Sequence, residues 1–249
     1  GAVMRCEPDG SNYEVFAHGL RNVQELAFDE YGNLFGVDND SDNPGEMERF
    51  VYIGANSDSG WRCNYQYRKR DYNPWTEEGL WKPQHDGRSA YSLPPICNYR
   101  DGPCGFVYNP GTALGTGWEK TFFLTGAPRG DQWAFQTKPK GAGFEMINSR
   151  LISKGKALIG WNFAPDGALY AVDWAGGYPL NQTGAIWKMD VNDSQKHPLR
   201  EQTESLIVNL SNLTTDLIGY IEDDSQGEIT IIDHDANIED DTITIIDGV

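Results

Sequence analysis

The sequence lacks the long apolar runs and cysteine patterns that mark several classes of protein. No stretch reaches the roughly 18–20 apolar residues that a membrane-spanning helix needs, so no transmembrane segment is predicted. The four cysteines form neither the C-x-x-C spacing of metal sites nor the C-x-x-C-H of haem attachment. Cys97 and Cys104 flank a turn-rich loop, and the sequence is equally compatible with a disulfide there and with two free, buried thiols.

Positive charge is also scarce, and its distribution is uneven. The 249 residues carry 20 Lys and Arg against 37 Asp and Glu, which gives a net charge of −17. Binding to nucleic acid requires clustered basic side chains, so the composition argues against a nucleic acid partner. Residues 221–249 contain no Lys or Arg at all. Their alternating apolar and acidic side chains predict a β-hairpin with an acidic, solvated edge.

Turn-forming and aromatic residues are abundant, and one phrase is repeated. The sequence contains 28 glycines, 13 prolines and 12% aromatic residues, a composition that favours an all-β fold. Residues 27–40, AFDEYGNLFGVDND, match residues 162–175, NFAPDGALYAVDWA, at their aromatic, glycine and aspartate positions. Each copy predicts a strand, a tight turn and a second strand, as in a β-propeller blade. Units that bury only part of their surface are typical of repeat architectures.

The pattern predicts three regions along the chain. Residues 1–197 contain about three to four blades, with a unit over 105–136 between the two hairpin copies, and we expect missing blades upstream of Gly1. Gly-Ala-apolar segments at the start and at 184–190 are each expected to complete a sheet beside a hairpin copy. Leucines at helical spacing predict an amphipathic helical segment over 198–220, and the acidic tail of 221–249 follows.

Arg21, Asn22 and Gln24 form the first candidate binding motif. They lie at the start of a predicted strand, where the connections between successive blades approach the central channel of a propeller. The guanidinium of arginine is a fork suited to carboxylates, and the amides of Asn and Gln donate to carbonyl and carboxylate oxygens. The trio therefore suits a cofactor with several carboxylates. The alternative is that Arg21 and Asn22 only cap a turn and pair with nearby acids.

Oxygen-bearing side chains are concentrated directly after the first hairpin copy. Asp38, Asp40, Asp42 and Glu46 are candidate ligands for Ca²⁺, which binds six to eight oxygens. The alternative is an ordinary turn-forming loop, because Asp, Asn and Gly are common in turns. None of the four histidines lies in a metal-binding pattern. A lone histidine is usually a surface or packed residue, so no catalytic residue is assigned.

Residues 58–104 interrupt the regular succession of short predicted strands. This insertion is rich in Trp and Tyr, and long structured insertions often carry function. Trp75 and Trp81 are candidates for stacking on a carbohydrate ring. The alternative is that the insertion packs its own aromatic side chains.

Several phrases in order resemble a known family. Residues 18–42, HGLRNVQELAFDEYGNLFGVDNDSD, resemble the quinoprotein glucose/sorbosone dehydrogenase-like β-propellers. Later phrases, among them SGWRCNYQY, GFVYNPGTALG, FAPDGALYAVDW and GAIWKMDV, extend the resemblance over residues 1–193. They are similar to the subgroup of exported bacterial proteins described as membrane-bound or PQQ-dependent dehydrogenases.

This resemblance implies a six-bladed propeller that binds pyrroloquinoline quinone (PQQ) and Ca²⁺ and oxidises an aldose or related carbohydrate alcohol. Arg21, Asn22 and Gln24 match the family's Arg-Asn-x-Gln motif beside the quinone, although Val23 replaces its usual proline. Residues 38–46 correspond to the strand and loop near the Ca²⁺. No residue matches the general base of the family. The resemblance also implies a periplasmic or extracellular location and a c-type cytochrome as electron acceptor.

Two other functions are compatible with the sequence. The first is a non-catalytic propeller that binds a glycan or protein through the aromatic insertion. The second is a Ca²⁺-dependent propeller lactonase. Loss of glycan retention on replacing Trp75 and Trp81 would select the first, and lactone hydrolysis without a quinone would select the second.

Overall fold

The computed structural model describes residues 1–39, 45–61, 74–82, 93–100, 102–127, 129–176, 179 and 181–222. The chain divides into two compact units, Gly1–Arg200 and Glu201–Val249. The first unit carries the described strands, a one-turn helix α1 (Pro74–Glu77) and a short 3-10 helix (Asp193–Gln195). The fold class is all-β, as the composition predicted.

The strands form four antiparallel sheets in the described residues. Sheet I contains β1 (Ala2–Arg5) and β2 (Glu14–His18). Sheet II contains β3 (Asn22–Phe28), β4 (Leu34–Asn39), β5 (Arg49–Ile53) and β6 (Cys97–Asn98). Sheet III contains β7 (Pro103–Tyr108), β8 (Phe122–Gly126), β9 (Asp131–Lys140) and β10 (Gly143–Lys154). Sheet IV contains β11 (Leu158–Phe163), β12 (Leu169–Asp173) and β13 (Ala185–Met189).

Neighbouring strands within each sheet are consecutive in the chain. Sheets II and III each have the four strands of a propeller blade, and sheets I and IV have two and three. The described residues thus form a partial β-propeller, which confirms the predicted fold class. The unit predicted over 105–136 is confirmed as part of sheet III.

The repeated phrase forms two equivalent hairpins, β3–β4 and β11–β12. In the first turn, Gly32 has φ +80° and its N–H donates to the carbonyl of Asp29 at 3.1 Å. In the second turn, Gly167 has φ +73° and donates to the carbonyl of Ala164 at 2.8 Å. Glycine adopts positive φ without the steric cost of a Cβ, which explains why both copies keep it.

One predicted pairing is confirmed and its counterpart is wrong. The strand at 184–190 is β13, which pairs with β12 and completes the sheet of the second hairpin. β1 instead pairs with β2, through a turn in which Gly10 N–H donates to the Glu7 carbonyl at 2.8 Å. The first hairpin is extended by β5, whose residues pair with β4.

Successive sheets pack face to face through separate hydrophobic clusters. One cluster joins sheets I and II, another joins sheets II and III, and another joins sheets III and IV. The middle cluster consists largely of aromatic rings, with the Phe35 and Phe122 centroids 5.1 Å apart in an edge-to-face arrangement. Edge-to-face pairs add favourable quadrupole contacts to the burial of the rings. The first strands of sheets II, III and IV lie side by side, with β7 in contact with both β3 and β11.

Close approach of β7 and β11 depends on a pair of glycines. A Cβ on Gly105 would lie 2.8 Å from Cα of Gly160 and 3.1 Å from the backbone N of Trp161. Gly105→Ala is therefore expected to push the two first strands apart and lower the free energy of unfolding by about 1–3 kcal/mol. Urea denaturation measures this, with Gly143→Ala as the matched control, because a Cβ there meets nothing within 4 Å. Equal stability of the two variants would contradict the packing.

The cysteines described by the structure are free. Cys6 is exposed, and Cys97 and Cys104 are half-buried without a disulfide. Burial raises the pKa of the Cys97 thiol to about 11, so this thiol stays protonated near neutral pH. The free-thiol alternative therefore describes Cys97 and Cys104, and Cys63 lies outside the described residues.

The predicted helical segment is one helix, α2 (Arg200–Glu222). Among the described residues, no helix is both long and apolar enough to cross a bilayer. The acidic hairpin predicted for the tail falls almost wholly on residues 223–249, which lie outside the described part of the chain.

Candidate functional site

The predicted binding motif lies where the chain passes from sheet I to the first strand of sheet II. Gly19 follows β2 with φ +76°. A Cβ at this position would overlap Oδ1 of Asp58 and lie 2.5 Å from the backbone N of Gly60. Only glycine fits both the conformation and the space. This tight passage brings Arg21 to the start of β3, the strand that begins at Asn22.

Arg21 is fixed by contacts to the end of β4. Its backbone N–H donates to Oδ2 of Asp38 at 3.2 Å. Its Nη1 donates to Oδ1 of Asn39 at 2.6 Å and to the Asn39 carbonyl at 3.2 Å. Its Nε is buried and has no acceptor among the described residues. A buried donor without an acceptor is costly, so a ligand oxygen that accepts from Arg21 would be stabilised here.

A cavity of about 340 Å³ lies beside this segment. It is lined by Gly1–Met4 and by Leu20–Leu26. Asn22 and Gln24 are exposed and line it together with Arg21. Small-molecule sites commonly begin near this size and combine apolar walls with a few polar groups. The structure thus brings the three predicted cofactor-binding residues to one cavity, with one guanidinium and two amides as donors.

Asp38, predicted as a metal ligand, forms a buried ion pair. Its side chain is 2% exposed and that of Arg49 is 1% exposed. Arg49 Nε donates to Oδ1 of Asp38 at 3.0 Å, and its Nη2 donates to Oδ2. The guanidinium also donates to the carbonyls of Gly19 and Ser59, and it lies 4.7 Å from the ring centroid of Trp75. This pair connects β4, β5 and the Gly19 passage.

The surroundings of Asp38 do not fit a calcium ion. Calcium requires carboxylate oxygens that are open to it, whereas both oxygens of Asp38 accept hydrogen bonds from a guanidinium. The positive charge of Arg49 also repels a second cation in a buried, poorly screened place. Oε1 of Glu46 accepts a hydrogen bond from Trp75 Nε1 at 2.5 Å. In the part of the chain that the structure describes, no cluster of three or more His, Cys, Asp or Glu could hold a metal.

Asp40 and Asp42 lie outside the described residues. The calcium site predicted from Asp38, Asp40, Asp42 and Glu46 therefore stays a prediction, and Asp38 is the member with which the geometry disagrees. The sequence could not show the ion pair because the strand that carries Arg49 was not predicted.

Trp75 and Trp81, the candidate substrate residues, are buried. They are 1% and 7% exposed and form a cluster with Trp61 and Leu80. Trp75 lies on α1, between the carboxylate of Glu46 and the guanidinium that it covers. Both rings pack within this cluster, and Trp75 also packs against Glu46 and Arg49 outside the insertion. Their role toward a substrate stays a prediction.

Sequence reasoning missed Glu25, the residue directly after Gln24. Its Oε2 accepts a hydrogen bond from the backbone N–H of Phe106 on β7 at 2.7 Å. Burial raises the pKa of this carboxyl, and the Phe106 hydrogen bond only partly offsets the effect. The sequence could have pointed to Glu25, because this acidic residue directly follows the Arg-Asn-x-Gln motif on the same strand.

Comparison with known proteins finds likeness in structure alone. No protein-family model and no curated protein matches the sequence. The PQQ-bound form of aldose sugar dehydrogenase from Streptomyces coelicolor is 20% identical with a TM-score of 0.51, and the match covers 77% of this chain and 52% of that one. A glucose dehydrogenase matches at 17% identity and a TM-score of 0.51, over 75% of this chain and 49% of that one. Another glucose dehydrogenase matches at 16% identity and a TM-score of 0.52, and the match covers 75% of this chain and 48% of that one.

These matches establish the fold. The chain has the fold of the sugar dehydrogenases, as the resemblance of its motifs predicted, and it spans about half the length of the solved structures that it matches.

Proposed function

We propose that this chain is the cofactor-binding part of a PQQ-dependent sugar dehydrogenase-like propeller, acting on an aldose or related carbohydrate alcohol. The observation that carries the proposal is the convergence of Arg21, Asn22 and Gln24 on one cavity at the start of β3. The Arg21 guanidinium keeps a buried Nε donor that no described residue satisfies. PQQ presents carboxylates and quinone carbonyls, which are the acceptors that these donors need.

Each residue has a separate task in this proposal. Arg21 binds a carboxylate of the cofactor through charge-assisted hydrogen bonds and is itself oriented by Asn39. Asn22 and Gln24 donate amide hydrogens to carbonyl or carboxylate oxygens and fix the orientation of the ring system. The quinone, when bound, supplies the two-electron acceptor for oxidation of the sugar, and the protein supplies binding and orientation.

The fold supports this function in a specific way. The Streptomyces coelicolor structure of the same fold is described as PQQ-bound, and this chain carries an Arg-Asn-x-Gln motif at the start of β3, the first strand of sheet II. Because the chain spans about half of such structures, we propose the activity for the whole protein. A periplasmic or extracellular location and a c-type cytochrome acceptor belong to the same proposal. Calcium belongs to it through Asp40, Asp42 and Glu46, not through Asp38.

A titration of PQQ into the purified chain tests the proposal. We expect saturable binding with a micromolar dissociation constant, followed by calorimetry or by the absorbance of the quinone. A longer protein that contains the remaining blades is expected to reduce an artificial dye with an aldose only when PQQ is present. Absence of quinone binding at micromolar concentration would refute the proposal, and lactone hydrolysis without quinone would replace it by the lactonase.

A further inference from the structure

The first strands of three successive sheets line a second, open cavity. Its volume is about 430 Å³. β3 contributes Glu25, Leu26, Ala27 and Phe28, β7 contributes Phe106, Val107 and Tyr108, and β11 contributes Trp161 and Asn162. Four of these nine side chains are aromatic, and Glu25 is the one carboxylate among them. Glu25 also lines the cavity that holds Arg21, Asn22 and Gln24, so the two cavities meet at this residue.

Glu25 is held between the three first strands. Oε2 accepts the Phe106 N–H from β7 at 2.7 Å. Oε1 points toward β11, where a Cβ added to Gly160 would lie 3.3 Å from it. The absence of a side chain at Gly160 leaves the room that Oε1 occupies. The backbone N–H of Phe106 therefore fixes one carboxylate oxygen and orients the other.

The second oxygen of Glu25 accepts no hydrogen bond from the described residues. In the described part of the chain, no group donates a hydrogen bond to Oε1, and no Lys or Arg lines the cavity. Burial of this carboxyl raises its pKa, as expected for a carboxylate removed from water without a cation beside it. A half-buried acceptor that faces a cavity is a site for a ligand that brings its own donor.

The residues that line the cavity bear on whether its ligand donates from an ammonium group or from a hydroxyl group. An ammonium group brings three N–H donors, yet Glu25 supplies the single carboxylate of the cavity, and Oδ1 of Asn162 already accepts from the Phe163 N–H at 2.8 Å. Of the several hydroxyl groups of a sugar ring, one would donate to Glu25, and the others can keep their hydrogen bonds to water. Phe28 is 60% exposed and its ring suits the apolar face of a hydroxylated ring, whereas Phe106 and Trp161 are buried in the clusters between the sheets. The cavity is better matched to a polyhydroxylated ligand than to an amine.

We propose that Glu25 is a ligand-binding residue whose free oxygen accepts a hydrogen bond from a hydroxyl group of a sugar-type polyol in this cavity. The proposal rests on the proposed function, since it places the carbohydrate next to the cofactor residues, and it assigns a sugar contact to a residue outside the Arg-Asn-x-Gln motif. Glu25 is a specificity-determining residue in this view, because the orientation of Oε1 selects which hydroxyl is bound.

Glu25→Gln tests this proposal without loss of the strand contact. The amide oxygen of glutamine still accepts the Phe106 N–H, and the variant carries no half-buried charge, so its thermal midpoint at neutral pH is expected to equal or exceed that of the parent. A hydrogen bond to a charged acceptor is stronger than one to a neutral acceptor, so the affinity for D-glucose is expected to fall about tenfold. Saturation-transfer NMR with D-glucose on the purified chain measures it. Glu7→Gln, at an exposed position, is the control and is expected to keep the parental affinity.

The outcomes separate this proposal from the proposed function. If Glu25→Gln binds D-glucose as well as the parent does, or if the parent does not bind it, the proposal is wrong. If methylammonium binds in place of glucose and depends on Glu25, the site is an amine site and the proposal is also wrong. PQQ affinity of Glu25→Gln is expected to equal or exceed that of the parent, because Arg21, Asn22 and Gln24 are intact and the variant removes a negative charge from the lining of the cavity that would hold the carboxylates of the cofactor. Glucose binding that depends on Glu25 in a chain that binds no quinone would support the sugar site and refute the proposed cofactor.

Discussion

Replacing Arg49 by methionine is expected to lower the free energy of unfolding by about 3–5 kcal/mol. The substitution keeps much of the volume of the side chain but removes the guanidinium that binds both oxygens of Asp38. The carboxylate would stay 2% exposed with no cation beside it, and an uncompensated buried charge is strongly destabilising. The loss extends to Trp75 and to the Gly19 passage, which contact the same guanidinium.

Urea denaturation of the parent and of Arg49→Met measures this effect. Arg5→Met is the matched control, because Arg5 also pairs with a carboxylate, Glu14, but at the surface. Surface pairs contribute little, so the control is expected to unfold close to the parent. A double variant, Asp38→Leu with Arg49→Met, is expected to recover part of the loss because no charge remains buried. Equal stability of Arg49→Met and Arg5→Met would contradict the ion pair.

Replacing Arg21 by methionine is expected to weaken PQQ binding about a hundredfold, which corresponds to about 2.7 kcal/mol. Among the described residues, Arg21 supplies the one guanidinium that lines the cofactor cavity, and its Nε has no acceptor there. The variant removes both. Charge-assisted hydrogen bonds to carboxylates are about twice as strong as neutral ones. Arg21→Lys keeps the positive charge but loses the two parallel N–H donors of the guanidinium, so an intermediate affinity for PQQ is expected.

Calorimetric titration of PQQ into these variants measures the effect. Arg150→Met is the control, since Arg150 lies on β10 and stacks on Trp118 outside the cavity. It is expected to bind PQQ as the parent does. If Arg21→Met binds PQQ with parental affinity while remaining folded by urea denaturation, Arg21 is not a cofactor-binding residue.

The repeated hairpins could be predicted from the sequence because their determinants are local. Gly32 and Gly167 take positive φ in the turns, and Asp29 and Asp166 accept hydrogen bonds from nearby backbone N–H groups. These features lie within a dozen residues of each other, where the spacing of the sequence is informative.

The longest strand could not be predicted for the opposite reason. β10, Gly143–Lys154, mixes charged, polar and apolar residues without alternation, and several of its side chains are exposed. It is a strand because β9 provides its hydrogen bonds along an edge with two shifts of register. Tertiary pairing, not local preference, determines such an edge strand.

The ion pair shows the same limit within the candidate site. Asp38 and Arg49 are directly opposite each other on β4 and β5, yet the sequence revealed the first as one acid in an acidic loop. Because strand β5 was not predicted, the carboxylates suggested calcium as their cation. In the structure, the pairing of β4 with β5 places the guanidinium of Arg49 beside Asp38 instead. Glu25 was missed because its contacts, to Phe106 and toward Gly160, come from strands distant in the sequence.

A crystal structure of the chain grown with PQQ would test whether the start of β3 is the cofactor site. The quinone is predicted in the cavity lined by Arg21, Asn22 and Gln24, with a carboxylate within hydrogen-bonding distance of the Arg21 guanidinium and with the two amides on its remaining oxygens. Asp38 is predicted to keep Arg49 as its partner. Quinone density that contacts none of Arg21, Asn22 and Gln24, or a chain without quinone under saturating conditions, would contradict the account.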